Sequence, residues 1–191
     1  MTIFIVPFAS PGAPFGHLDY WAAIAAFTAK VYFDFTGYSD IAIGVSGLLG
    51  FSILENFDMP YRTANIGEFW RRWHISLSSW IRDYVFIPLG GSRRPAPIVA
   101  LNLIFAMGLC GLWHGANWTF VVWGLYNGAL LAVHRLWAQH VVPNVRFLAR
   151  PSRLVYFGSV ALNLAFIFAG WYLFNAKSLS GAFAAFQATF F

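Results

Sequence analysis

Leu112-Trp113-His114-Gly115-Ala116-Asn117-Trp118 sets a single imidazole between two apolar runs. Neither Ile98 to Leu112 before it nor Thr119 to Val133 after it contains an Asp, Glu, Lys or Arg. Each run approaches the length of a bilayer crossing, about 17 to 25 residues. A titratable ring is costly in hydrocarbon and is tolerated where it faces a water-filled cavity or a bundle interior, where it can bind or transfer protons. This stretch therefore reads as the turn between two spanning helices, and His114 is the first candidate functional residue.

Composition agrees with a membrane reading. Of 191 residues, 59% are hydrophobic and only 10% are charged, whereas a soluble domain carries about 25% charge. The mean hydropathy is +0.62. Nine Trp, eight Tyr and 21 Phe suit the aromatic belts of membrane-water interfaces. A net charge of +5 is too small to read as nucleic-acid binding. Cys110 is the single cysteine, so it forms no internal disulfide and reads as a small buried hydrophobe. Met1 to Ala9 is short for a signal peptide and has no basic n-region, so targeting is expected from the spanning helices.

Four segments approach spanning length: Leu18 to Phe35 with Lys30 inside it, Pro97 to Trp113, Trp118 to Trp137, and Leu154 to Phe174. Between the first two, Ile41 to Leu54 is apolar but short and contains Gly44, Gly47 and Gly50, which suits a half-spanning or tightly packed helix. Pro11 to Pro14 reads as a loop. Arg62, Arg71, Arg72, Arg82, Arg93 and Arg94 precede the second segment, and Arg135 at the end of the third is followed by Arg146, Arg150 and Arg153 before the fourth. Two crossings separate these clusters, so both fit one face, which positive-inside bias makes cytoplasmic. From Glu68 to Tyr84, the residues Phe69, Trp73, Leu77, Trp80 and Tyr84 recur at helical spacing. They predict one amphipathic helix along an interface, with His74 on its flank. Pro88, Gly90 and Gly91 end this region, and Ser92 to Pro95 forms a basic turn. The expected fold is all-α, one polytopic transmembrane bundle over residues 1–191 with interfacial or re-entrant amphipathic helices.

Four motifs occur in order: Phe33-Asp34-Phe35-Thr36-Gly37-Tyr38-Ser39-Asp40, Glu55-Asn56-Phe57-Asp58-Met59-Pro60-Tyr61, Glu68-Phe69-Trp70-Arg71-Arg72-Trp73-His74, and the His114 stretch. This set resembles the membrane-bound O-acyltransferase family, in the branch typified by alginate O-acetyltransferase membrane subunits. The resemblance covers about residues 20 to 140 and continues weakly through Gly170-Trp171-Tyr172-Leu173-Phe174. It implies a multi-helix enzyme of the bacterial inner membrane that moves an acyl group, usually acetyl, onto a hydroxyl. The family histidine corresponds to His114 and a second family histidine to His74. The donor it implies is acetyl-CoA or another acyl thioester from the cytoplasm, used as a substrate, with no cofactor held tightly. The partners implied are the lipid bilayer, periplasmic acetyl-transfer proteins and an exported polysaccharide acceptor, with no nucleic acid. Members of the family are longer, so the chain corresponds to the C-terminal portion of the family fold. Asn175 stands where relatives commonly carry arginine.

Each candidate residue has a chemical and a structural reading. His114 suits a general base, because an imidazole titrates near neutrality; its structural alternative is a ring donating to a helix carbonyl. His74 fits a proton relay or acceptor positioning, or a solvated flank. Trp113 adjoins His114 as a supporting residue. Asn117 can orient the imidazole or bond the acyl oxygen, or cap the helix that begins at Trp118. Asp34 and Asp40 flank a glycine turn at the end of the first helix and are expected to pair with Arg72 or Lys30 as structural anchors. Arg71, Arg72, Arg82, Arg93 and Arg94 can steer donor phosphates or face anionic headgroups. His134, beside Arg135, is expected to snorkel at a helix end, and His17 and His140 to lie in loops. No carboxylate–histidine spacing suggests a metal site. Two other functions fit the same features: a transporter or channel lined by histidine and lysine, and a truncated chain that keeps the motifs without closing the cavity.

Overall fold

The computed structural model describes residues 15–149 and 152–190. Met1 to Ala9, Pro11 to Pro14 and Arg150, all read from sequence above, lie outside the described residues. Within them the chain is helical, with one isolated bridge between Phe57 and Trp73 and no named strand.

Helix α1 spans His17–Leu48. It starts where the Gly16 N–H donates to the Asp19 carboxylate at 2.9 Å. It ends at Gly50, whose φ of +82° supplies the left-handed stop while the Phe51 N–H reaches Ser46 O at 2.9 Å. This corrects three expectations. The helix does not stop at Phe35, Thr36-Gly37 is not a turn, and Ile41 to Leu48 is its last part rather than a separate half-span. One interior glycine costs about 1 kcal/mol, which a helix of 32 residues absorbs. Gly44 and Gly47 have no atom within 4 Å of an added Cβ, so they are not packing contacts among the described residues. His17 is the first residue of α1, not a loop residue, and its ring bonds Ala188 O at 2.8 Å.

The expected single helix from Glu68 to Tyr84 is broken. Helix α2 is Ile66–Arg72, Trp73 is extended, His74 is left-handed, and α3 is Ile75–Ile81, followed by a π-helical turn at Arg82–Phe86. The apolar stripe divides accordingly: Phe69 and Trp73 are buried, while Trp80 and Tyr84 are 53% and 69% exposed. Backbone hydrogen bonds from the preceding segment replace the missing helical ones. Asp58 N–H donates to Arg72 O at 3.1 Å and Ile75 N–H to Asn56 O at 3.0 Å.

Helices α4 (Ala96–His114), α5 (Trp118–His140), α6 (Arg153–Asn175) and α7 (Leu179–Phe190) complete the bundle. Only α4 and α6, with mean hydropathies of 1.9 and 1.7, are long and apolar enough to cross a membrane by composition among the described residues. Helix α5 is 23 residues long but carries Asn127, His134 and Arg135. His140 is its last residue rather than a loop residue. His134 lies within α5, half-buried, and meets Gly67 of α2, where an added Cβ would sit 3.4 Å from its Cδ2. It does not snorkel from a helix end.

Helices α4 and α5 form the most extensive pairing, and glycines allow it. A Cβ at Gly111 would lie 2.2 Å from Phe120 O, and one at Gly124 would lie 2.2 Å from Met107 O. At Gly128 it would lie 2.5 Å from Ile104 Cα. Gly124 and Gly128 stand four apart on α5, so one face brings its backbone onto α4. The pair is antiparallel: Gly111 of α4 meets Phe120 of α5 at one end, and Arg135 Nη1 donates to Ser92 Oγ at 3.2 Å at the other. The Ser92–Arg94 turn and Arg135 therefore share one end, as the charge clusters imply. Ile24, Phe69, Trp73, Trp123 and Trp171 form the buried centre.

Gly124→Ala is expected to lower the Tm of the detergent-solubilised protein, with overpacking costing about 1–3 kcal/mol. Gly158→Ala, in α6 with nothing within 4 Å of an added Cβ, is the matched control and should leave the Tm unchanged or raise it.

Candidate active site

His114 is the last residue of α4, and Gly115 turns the chain away from the helix axis. The seam with α5 and the neighbouring α6 put aromatic walls around it. Its ring centroid lies 5.3 Å from Trp123, 5.1 Å from Phe174 and 4.9 Å from Trp113, each contact edge-on. The imidazole is half-buried and neither ring nitrogen makes a hydrogen bond among the described residues. Its nitrogens therefore remain free for a proton or a reacting hydroxyl.

His74 arrives from the other side. Its φ of 43° and ψ of 56° are left-handed, a conformation that costs a non-glycine residue about 1–2 kcal/mol. Surrounding contacts hold it there. Asn56 Oδ1 accepts from Ser76 Oγ at 2.6 Å and Ser76 N at 3.2 Å, and bonds His74 Nδ1 at 3.3 Å. With Nδ1 protonated and donating to Asn56, Nε2 is left as an acceptor. Phe35 packs edge-on at 4.5 Å and Trp113 at 6.0 Å. Burial, reinforced by the His114 ring, pushes the His74 pKa down to about 4, so the ring is neutral at pH 7.

The indole of Trp113 thus contacts both histidines, one at the kink between α2 and α3 and one at the end of α4. Behind them the aromatic residues form a continuous layer. Trp73 stacks on Phe69 at 5.4 Å and touches Trp171 at 5.4 Å, and Trp171 stacks on Trp123 at 6.1 Å. Residues from all four sequence motifs and from Gly170 to Phe174 meet here.

The remaining candidates stand apart from the imidazoles. Asn117 caps α5, accepting from Thr119 N–H at 3.1 Å, and its amide holds Lys177 O. It makes no hydrogen bond to His114 among the described residues. Asp34 pairs with Lys30 one turn earlier. Asp40 is exposed and makes no ion pair among the described residues. Arg72 does not reach Asp34 or Asp40; it pairs with Glu68 at 2.8 Å and with Asp58 at 3.8 Å. Among the described residues no group of three or more His, Cys, Asp or Glu is placed to hold a metal ion. The residue that sequence reasoning missed is Asn56. Its place in the second motif was the only signal, because its role depends on meeting His74 and Ser76 across the kink.

Fold and site together define an all-helical membrane protein with one imidazole at the end of a spanning helix and a second across Trp113 from it. The chain belongs to the membrane-bound O-acyltransferase family, whose signature matches residues 14–178. It is 45% identical over 172 residues, 90% of its own length, to a probable alginate O-acetylase of Azotobacter vinelandii, covering 33% of that protein. It is 41% identical over 85% of its length to a peptidoglycan O-acetyltransferase of Helicobacter pylori, covering 30% of it. It is 32% identical over 79% of its length to a teichoic acid D-alanyltransferase of Bacillus subtilis, covering 40%. The chain thus spans about a third of the length of the alginate relatives it matches.

Asn56→Ala removes the acceptor shared by Ser76 and His74. Each lost hydrogen bond costs about 0.5–1.5 kcal/mol, so the kink should loosen. Hydrogen exchange at Ile75 and Ser76 is expected to speed up while α4 and α5 keep their protection. Asn56→Asp, which retains an acceptor oxygen, should preserve most of the protection.

Proposed function

We propose that the chain is part of an O-acyltransferase that moves acetyl from a cytoplasmic thioester donor toward hydroxyls of an exported polysaccharide. One observation carries the reading: two imidazoles from separate elements flank Trp113, with both nitrogens of His114 and Nε2 of His74 free of hydrogen bonds among the described residues. Acyl transfer needs a base that takes the acceptor proton as its oxygen attacks the thioester carbonyl. In the proposed reaction the hydroxyl oxygen bonds the carbonyl carbon and its proton passes to His114. The tetrahedral oxyanion then collapses, the C–S bond breaks, and the proton returns to the departing thiolate. The products are an ester and a free thiol. His74, held neutral by burial, positions the acceptor or relays the proton.

Membership in the family supports acyl transfer, and the relatives named for alginate, peptidoglycan and teichoic acid support a hydroxyl-bearing polymer as the final acceptor. The inner membrane is the compartment that gives access to a cytoplasmic donor and an exported product. Periplasmic transfer proteins are the partners proposed to complete delivery.

His114→Ala, expressed in its native genomic context at matched membrane levels, is expected to abolish polymer acetylation. Normal acetyl content in that strain would refute the assignment. His74 has a second, independent expectation. Its lowered pKa means that it gains a proton only as pH falls toward about 4. The ratio of wild-type to His74→Gln transfer rates should therefore stay constant between about pH 6 and about pH 8, where an ordinary histidine would titrate.

A further inference from the structure

A second feature lies away from the imidazole pair. A cavity of about 360 Å³ opens between the α2–α3 segment and the α4–α5 pair, and neither histidine of the candidate site lines it. Leu103, Met107 and Cys110 form its α4 wall, Leu131 its α5 wall, and Arg71 of α2 and Ser79 of α3 stand opposite. Leu103 to Cys110 extends about 10 Å along the helix at 1.5 Å per residue.

Charge gathers at one end of this apolar wall. Arg135 lies one turn beyond Leu131 on α5 and donates to Ser92 beside Arg93 and Arg94, which immediately precede α4. Gly67 of α2 touches His134, and Arg71 follows Gly67 by one turn. Arg71 itself lines the cavity, as does Arg82. Among the described residues Arg72 and Arg82 are paired with carboxylates, whereas Arg71 has no ion pair. An apolar wall with cationic side chains near one end is complementary to an amphiphile with an anionic head, and basic pockets between membrane helices bind such lipids.

We propose that this cavity is a binding site for an anionic phospholipid, with its phosphate at Arg71 and Arg135 and an acyl chain along Leu103 to Cys110. The Ser79 hydroxyl is the neutral donor available to the phosphate or ester oxygens. Ile75, which follows His74, also lines the cavity. A bound acyl chain would therefore brace the helix that leaves the strained turn.

The site is testable without reference to acyl transfer. The protein, purified in mild detergent, is exchanged into mixed micelles of phosphatidylglycerol or phosphatidylcholine. Native mass spectrometry then reads retained lipid, while N-ethylmaleimide labelling reads access to Cys110, the chain's single thiol. Phosphatidylglycerol should be retained preferentially and should slow the labelling. Each of Arg71→Gln and Arg135→Gln should weaken that preference roughly fivefold, and Arg71→Lys should keep most of it. Ser79→Trp, which fills the slot without removing charge, should abolish retention while the helical circular dichroism is unchanged. Equal retention of the two lipids by the wild type would overturn the proposal. So would lipid retention by folded Ser79→Trp, or protection of Cys110 by coenzyme A or glycerol 3-phosphate in place of the lipid.

Discussion

The close approach of α4 and α5 is the constraint on which the other features rest. Within a bilayer, lipid tails are as apolar as leucine, so helices gain little from hydrophobic burial and associate through tight packing and polar contacts. Gly111, Gly124 and Gly128 let main-chain atoms of the two helices meet directly. That contact fixes where α4 ends relative to Trp123 on α5, and so where His114 stands. Phe174 of α6 then closes the ring from a third helix.

The second histidine depends on a different kind of support. Left-handed backbone at a β-carbon-bearing residue is unfavourable and persists only when its neighbours over-determine it. Met59 and His74 both adopt it, at φ of 46° and 43°. Asn56, Phe57 and Asp58 all bond or pair with the Arg72–Ser76 kink, so the segment carrying Met59 clamps the segment carrying His74. The aromatic layer of Phe69, Trp73, Trp171 and Trp123 joins this clamp to the α4–α5 pair. Two imidazoles supplied by separate elements are thereby held against one indole.

Much of this was legible in the chain itself, where a single local signal was enough. Uncharged runs bounded by proline, glycine or arginine placed α4, α5 and α6 to within a few residues of their ends. Asn117 before Trp118 carried a cap signature, and it is a cap. Buried Cys110 followed from its apolar neighbours. The failures share one cause. A helical wheel from Glu68 to Tyr84 keeps its period whatever happens at Trp73, and the break depends on Asn56 and Phe57, which are distant in sequence. The length of α1 was hidden because Gly37 and the carboxylates look like a turn, yet no competing contact interrupts the helix there. His134, expected at a helix end, packs instead on Gly67, which bears no side chain to announce the contact. The same silence hid the seam, since a glycine's use becomes visible only with the opposing backbone in place.

The Asn117 amide that holds Lys177 recognises a main-chain oxygen rather than a side chain. That choice decouples the tether from the identity of the residues in the connection between α6 and α7. Mutational latitude there is built into the way the loop is grasped.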